Sequence, residues 1–179
     1  LYPERQFAFS GFDAVVAHFG GELGWGPPEA ARMRELFETG QRPRVFNAIL
    51  EAAGVASQEL DRQVDDMVRV YREHRPTITL YPDADAILRR LAGRCRLGVL
   101  SDGYLKTQRA KMSALELEPR LDAVVFTDQW GRSFWKPHVR GYEMISETLK
   151  IAPQACVYVA DNPAKDFLAP HRLGWKTVQ

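Results

Sequence analysis

Two different hydrophobic periods meet at about Pro76, and that change constrains the fold of this chain more than any other feature. Downstream of it, short apolar runs alternate with segments of helical period. A helix is expected over 83–92, closed by Gly93, ahead of the run Leu97-Gly98-Val99-Leu100. Another follows with Met112 and Leu115 on its buried face, then the strand-like Ala123-Val124-Val125-Phe126. A helix through Tyr142, Ile145 and Leu149 leads to Val157-Tyr158-Val159, and after a short last helix comes Trp175-Lys176-Thr177-Val178. Strands that are apolar on both faces and alternate with helices specify a parallel sheet with covering helices.

Upstream of Pro76 only the helical period occurs. Phe9, Phe12, Val16 and Phe19 share one face. A Gly/Pro-rich break from Gly20 to Pro28 follows, then a helix carrying Met33, Leu36 and Phe37 that ends at Gly40. A third carries Val45, Phe46, Ile49 and Leu50 and stops at Gly54; a fourth carries Leu60, Val64, Met67, Val68 and Tyr71, with Ser57 as its N-cap. Four amphipathic helices with short connections predict a small bundle. The expected domains are therefore 1–76, all helical, and 77–179, α/β.

The 179 residues suit one large domain or two small ones, and 45% hydrophobic with 26% charged is ordinary for a globular protein. Twenty-four basic against twenty-three acidic residues leave a formal charge of +1, which offers no electrostatic case for a nucleic-acid or membrane partner. No apolar stretch approaches the ~18 residues of a membrane span. Cys95 and Cys156 sit in no disulfide or metal spacing and read as small buried hydrophobes, which fits a reducing cytoplasm.

Ligands of open parallel sheets bind beyond the carboxyl ends of the strands. Those ends carry Ser101-Asp102-Gly103, then Thr127-Asp128 with Lys136-Pro137 in the following loop, then Asp161-Asn162-Pro163-Ala164-Lys165-Asp166. A hydroxyl, an ammonium and two carboxylates on one edge suit a phosphate with a divalent cation. Taken singly, each has a plainer reading. Ser101-Asp102-Gly103 makes a turn, Lys136 a solvated loop lysine, and Asn162-Pro163 a helix cap with its first residue, whose dipole Asp161 and Asp166 complement. Their joint order, each after its own strand, is what points to chemistry.

In that order, Leu100-Ser101-Asp102-Gly103, Lys136-Pro137 and Val159-Ala160-Asp161 with Asp166 resemble the second, third and fourth motifs of the haloacid-dehalogenase superfamily. The resemblance implies a Rossmann-like core with a helical cap, and it covers essentially the whole chain. It implies that Ser101 holds the transferring phosphoryl group, helped by backbone N–H groups of Asp102 and Gly103. Lys136 would neutralise the nucleophile and the developing charge, while Asp161 and Asp166 would bind Mg²⁺. Ala160 stands where the family usually has Gly, and Asp102 where Asn is common. The first motif, Asp-x-Asp-x-Thr, does not occur in residues 1–179, and the resemblance implies a strand carrying it ahead of Leu1, in the middle of the sheet. A short continuation after Gln179 is expected as well.

The expected function is Mg²⁺-dependent hydrolysis of a small phosphorylated metabolite through an aspartyl phosphate. The other readings are a dehalogenase or phosphomutase of the same superfamily, or an inactive binding protein that keeps the fold. Trp25, Arg42 and Arg44 in the cap loops are candidates for substrate selection. The sequence sets no oligomeric state.

Overall fold

Helix α1 (Glu4–Leu23) opens the first of two units, Leu1–Tyr81 and Pro82–Gln179, into which the computed structural model of residues 1–179 divides. It runs on through Gly20 and Gly21, beyond the break expected there. The stop comes instead at Gly24, whose φ of 67° ends the helix in the left-handed region while its N–H donates to the Gly20 carbonyl. Helix α2 (Pro27–Glu38) starts on a proline, and the Glu29 carboxylate accepts the Gly26 N–H at 2.7 Å. Helices α3 (Val45–Ala52) and α4 (Ser57–Glu73) complete the bundle. The expected N-cap of α4, Ser57, is instead its first helical residue: Ala56 takes the extended cap position, and no side chain caps this end.

The bundle closes because α1 packs on α2 and α4 while α3 packs on the same two. Phe12, 3% exposed, is at the centre, its ring 5.7–6.1 Å from those of Phe37, Phe46 and Tyr71. Phe12→Ala is expected to lower stability by about 3–5 kcal/mol, the range for deleting a buried phenyl ring. Urea unfolding followed by circular dichroism checks this.

The second unit alternates as the sequence predicts: α5 (Pro82–Leu91), β1 (Gly98–Ser101), α6 (Leu105–Ala114), β2 (Ala123–Phe126), α7 (Arg140–Leu149), β3 (Val157–Val159), α8 (Pro163–Asp166), α9 (Leu168–Leu173) and β4 (Lys176–Val178). The strands pair in parallel as β1–β2, with Gly98 opposite Ala123, and as β3–β4, with Val157 opposite Lys176. Within residues 1–179 they make two separate two-stranded sheets, parted where the resemblance leads one to expect the strand in the middle of the sheet. Nor are all strands covered on both faces: Val157, Val159 and Val178 are 54%, 69% and 51% exposed.

Helix α7 ties the pairs together. It packs against both β1 and β2, while its Tyr142 ring lies edge-on to Tyr158 of β3 at 5.0 Å and to Trp175 at 5.8 Å. Close approach to β1 requires Gly141, where a Cβ would sit 2.6 Å from a Leu100 methyl and 3.1 Å from Thr127. Cys156 is buried as expected, whereas Cys95 is exposed, just beyond the end of α5. No helix is long and apolar enough to cross a membrane.

Candidate active site

Strand β1 ends at Ser101, whose hydroxyl donates to Gln108 Oε1 of α6 at 3.0 Å and, at 3.3 Å, to the Asp102 carbonyl. Gly103 turns the chain into α6 with φ of 102°, and a Cβ there would meet Gln108 Nε2 at 2.7 Å. Only glycine meets both demands. Ser101, Gly103 and Gln108 thus form one packed turn, in which Gln108 orients the serine hydroxyl.

Asp102 does more than add negative charge. Its Oδ1 accepts from the Thr127 hydroxyl at 2.7 Å and from the Lys136 backbone N–H at 3.1 Å, and its Oδ2 lies 3.6 Å from Lys165 Nζ. One carboxylate thereby joins the ends of β1 and β2, the loop that presents Lys136, and the α8 segment. Asp128, which reads in the sequence as another strand-end carboxylate, acts only on its surroundings. It accepts the Leu105 N–H at the start of α6 at 2.9 Å and the Trp135 indole N–H at 3.1 Å.

Lys136 precedes a cis proline and turns inward, its side chain 11% exposed. Its ammonium lies 2.8 Å from Asp166 Oδ1 and donates to the Tyr158 hydroxyl at 3.2 Å. Burial works to depress its pKa, but Tyr158 and Asp166 outweigh that, and the pKa lies above the ordinary lysine value. Burial holds the Tyr158 phenol above its ordinary value in spite of the adjacent cation. At neutral pH this is a charged ammonium against a neutral phenol.

Asp166 is 3% exposed, and its backbone carbonyl accepts the Tyr142 hydroxyl at 2.9 Å. Its Oδ1 accepts no hydrogen bond of good geometry, leaving the ion pair with Lys136 as its contact. Asp161 stands exposed at the end of β3, and Asn162 caps α8 by accepting the Ala164 N–H at 3.2 Å. No group of three or more His, Cys, Asp or Glu side chains is arranged to hold a metal. The carboxylate oxygens that follow β3, among them Asp166 Oδ1, which is short of hydrogen bonds but lies 2.8 Å from the Lys136 ammonium, are of the kind of which Mg²⁺ takes one or two beside its waters. They do not fit a zinc cage of nitrogen and sulfur ligands.

The structure therefore brings Asp102, Lys136 and Asp166 into one network, with Ser101 beside it on the same strand end. Sequence reasoning missed Gln108, Tyr142, Tyr158 and Lys165. Of these, only Lys165 lies within a motif quoted for chemistry. In the helical unit, Arg42 pairs with Glu4 and lies over the Phe37 ring, Arg44 pairs with Glu51, and Trp25 packs on the bundle core.

Comparison with known proteins adds a family. The family model described as haloacid dehalogenase-like hydrolase matches residues 24–179. A phosphoserine phosphatase of Thermus thermophilus is 29% identical over 138 residues, covering 76% of the chain and 53% of that enzyme. An (S)-2-haloacid dehalogenase of Xanthobacter autotrophicus is 31% identical over 97 residues, covering 54% of the chain and 36% of that enzyme. The chain thus spans about half or less of the length of these relatives. Among solved structures, a hydrolase of the same superfamily from Geobacter sulfurreducens superposes with a TM-score of 0.69 at 15% identity, covering 99% of the chain and 80% of that protein. This last likeness shows the fold alone.

Proposed function

The chain belongs to the haloacid dehalogenase-like hydrolases, and from that premise we propose that it is a phosphohydrolase acting on a small phosphorylated metabolite. The observation that carries this reading is the buried Lys136 ammonium. An ammonium has three N–H donors; one goes to the Tyr158 hydroxyl, while Asp166 Oδ1 at 2.8 Å holds the charge as an ion pair. Donor capacity is left for an anionic oxygen, and a fixed cation of this kind stabilises charge that builds up on a transferring phosphoryl group.

In this reading Ser101 donates to a phosphoryl oxygen after releasing Gln108, and Gly103 lets the backbone come close to it. The phosphoryl group passes from the substrate ester oxygen, which leaves protonated as the alcohol, to an aspartate of the Asp-x-Asp-x-Thr motif that the resemblance implies, and water then hydrolyses the acyl phosphate to inorganic phosphate. Asp161 and Asp166 would hold Mg²⁺, which when bound polarises a phosphoryl oxygen. The helical unit Leu1–Tyr81 serves as a cap that selects the substrate. Likeness to a phosphoserine phosphatase supports the phosphatase reading over the dehalogenase one, because that match spans more of the chain.

The test assays the intact protein with p-nitrophenyl phosphate and with a 2-haloacid, with and without a chelator. Phosphate release that stops on chelation, and that falls steeply in Asp161→Asn, is the expected result. Halide release without phosphate release would overturn it in favour of a dehalogenase.

A further inference from the structure

Tyr158 lies in the middle of β3, flanked by Val157 and Val159, and belongs to none of the motifs that point to chemistry. The strand alternation turns it away from those two exposed valines. There its hydroxyl meets Lys136 Nζ at 3.2 Å, with the ammonium 5.8 Å from the centre of its ring. Its ring is fixed edge-to-face on Tyr142, which is fully buried and bonded through its hydroxyl to the Asp166 carbonyl. Tyr142 therefore braces both groups that grip the ammonium, Tyr158 through its ring and Asp166 through its backbone.

The geometry points to Tyr158 as a positioning residue that holds the Lys136 ammonium so that its free N–H donors face the reacting phosphoryl group. This rests on the phosphohydrolase reading for what the lysine acts on. Asp166 alone does not define the direction of an ammonium on a flexible four-carbon stem, because a single contact leaves rotation about that contact free. A second fixed acceptor removes that rotation. Mutating such an outer partner costs activity about 10- to 100-fold where it orients a group that acts directly.

Tyr158→Phe keeps the ring against Tyr142 and removes only the hydroxyl. In the intact protein it is expected to lower kcat on p-nitrophenyl phosphate about 10- to 100-fold, with KM and Tm close to wild type. In ¹⁵N-labelled protein, the Lys136 ammonium resonance, identified by its loss in Lys136→Ala, should broaden in Tyr158→Phe as its exchange quickens. Unchanged kcat with an unchanged resonance overturns the proposal, as does a kcat loss matched by a fall in Tm. If the wild-type protein releases no phosphate, the functional reading fails, and the resonance alone then decides the role of Tyr158. An unperturbed signal rejects that role and a broadened one sustains it.

Discussion

Lys136→Ala should cut turnover on a phosphate ester by about 10²–10³, the loss typical of one preorganised charge-stabilising group. The same substitution should also destabilise the fold. Lys136 and Asp166 have side chains 11% and 4% exposed, and removing the cation leaves a buried carboxylate uncompensated. Breaking a buried pair from one side costs about 3–5 kcal/mol. Rate and stability therefore fall together in the single variant, and a second substitution is needed to separate them. Asp166→Asn in the Lys136→Ala background removes the stranded charge. Most of the lost stability should return; the double variant is read for stability alone, because Asp166 is itself a proposed Mg²⁺ ligand, and the rate is read from Lys136→Ala below its unfolding transition. Urea unfolding of the two variants and steady-state kinetics on Lys136→Ala check this, and near-normal turnover of Lys136→Ala would remove the lysine from the mechanism.

Asp102 carries the second large effect, and it falls on stability. Asp102→Ala removes the acceptor of the Lys136 N–H and leaves the Thr127 hydroxyl, on a residue with no exposed surface, only a 3.4 Å contact with the Ser101 carbonyl. Each buried donor left unmet costs about 1–3 kcal/mol. The Lys165 partner is 44% exposed, and an ion pair screened to that degree adds little. Asp102→Asn keeps an oxygen at Oδ1 and drops the charge, so it should unfold near the wild-type denaturant midpoint while the alanine variant falls well below it. Equal losses in the two variants would show that the charge, not the acceptor geometry, matters here.

Much of this was legible because short apolar runs bounded by polar residues mark strands: β2 and β3 occupy the residues read from the sequence. Ser101, Asp102, Lys136 and Asp166 were legible from their order after successive strands. The partners that hold them were not. Tyr158 and Tyr142 look like core aromatics, and their hydroxyls acquire a role only once α7 is laid against β3. Asp128 and Asp102 are the same residue type near strand ends, yet one caps α6 and the other joins several segments. What separates them is the identity of the N–H groups that the fold brings near, which depends on strand pairing and not on local pattern.

The way α7 seats on β1 bears on how this protein tolerates sequence drift. Ser101 ends and Asp102 follows a strand of one pair, Tyr158 and Asp166 belong to or follow the other, and the helix that spans both is held down where Gly141 meets Leu100. A single methyl added at Gly141 pushes on the tie between the two halves of the constellation, at a residue with no polar atom in its side chain to mark it. A survey of variants ranked by chemical character would pass over this position. One ranked by what a side chain would collide with puts it beside the lysine.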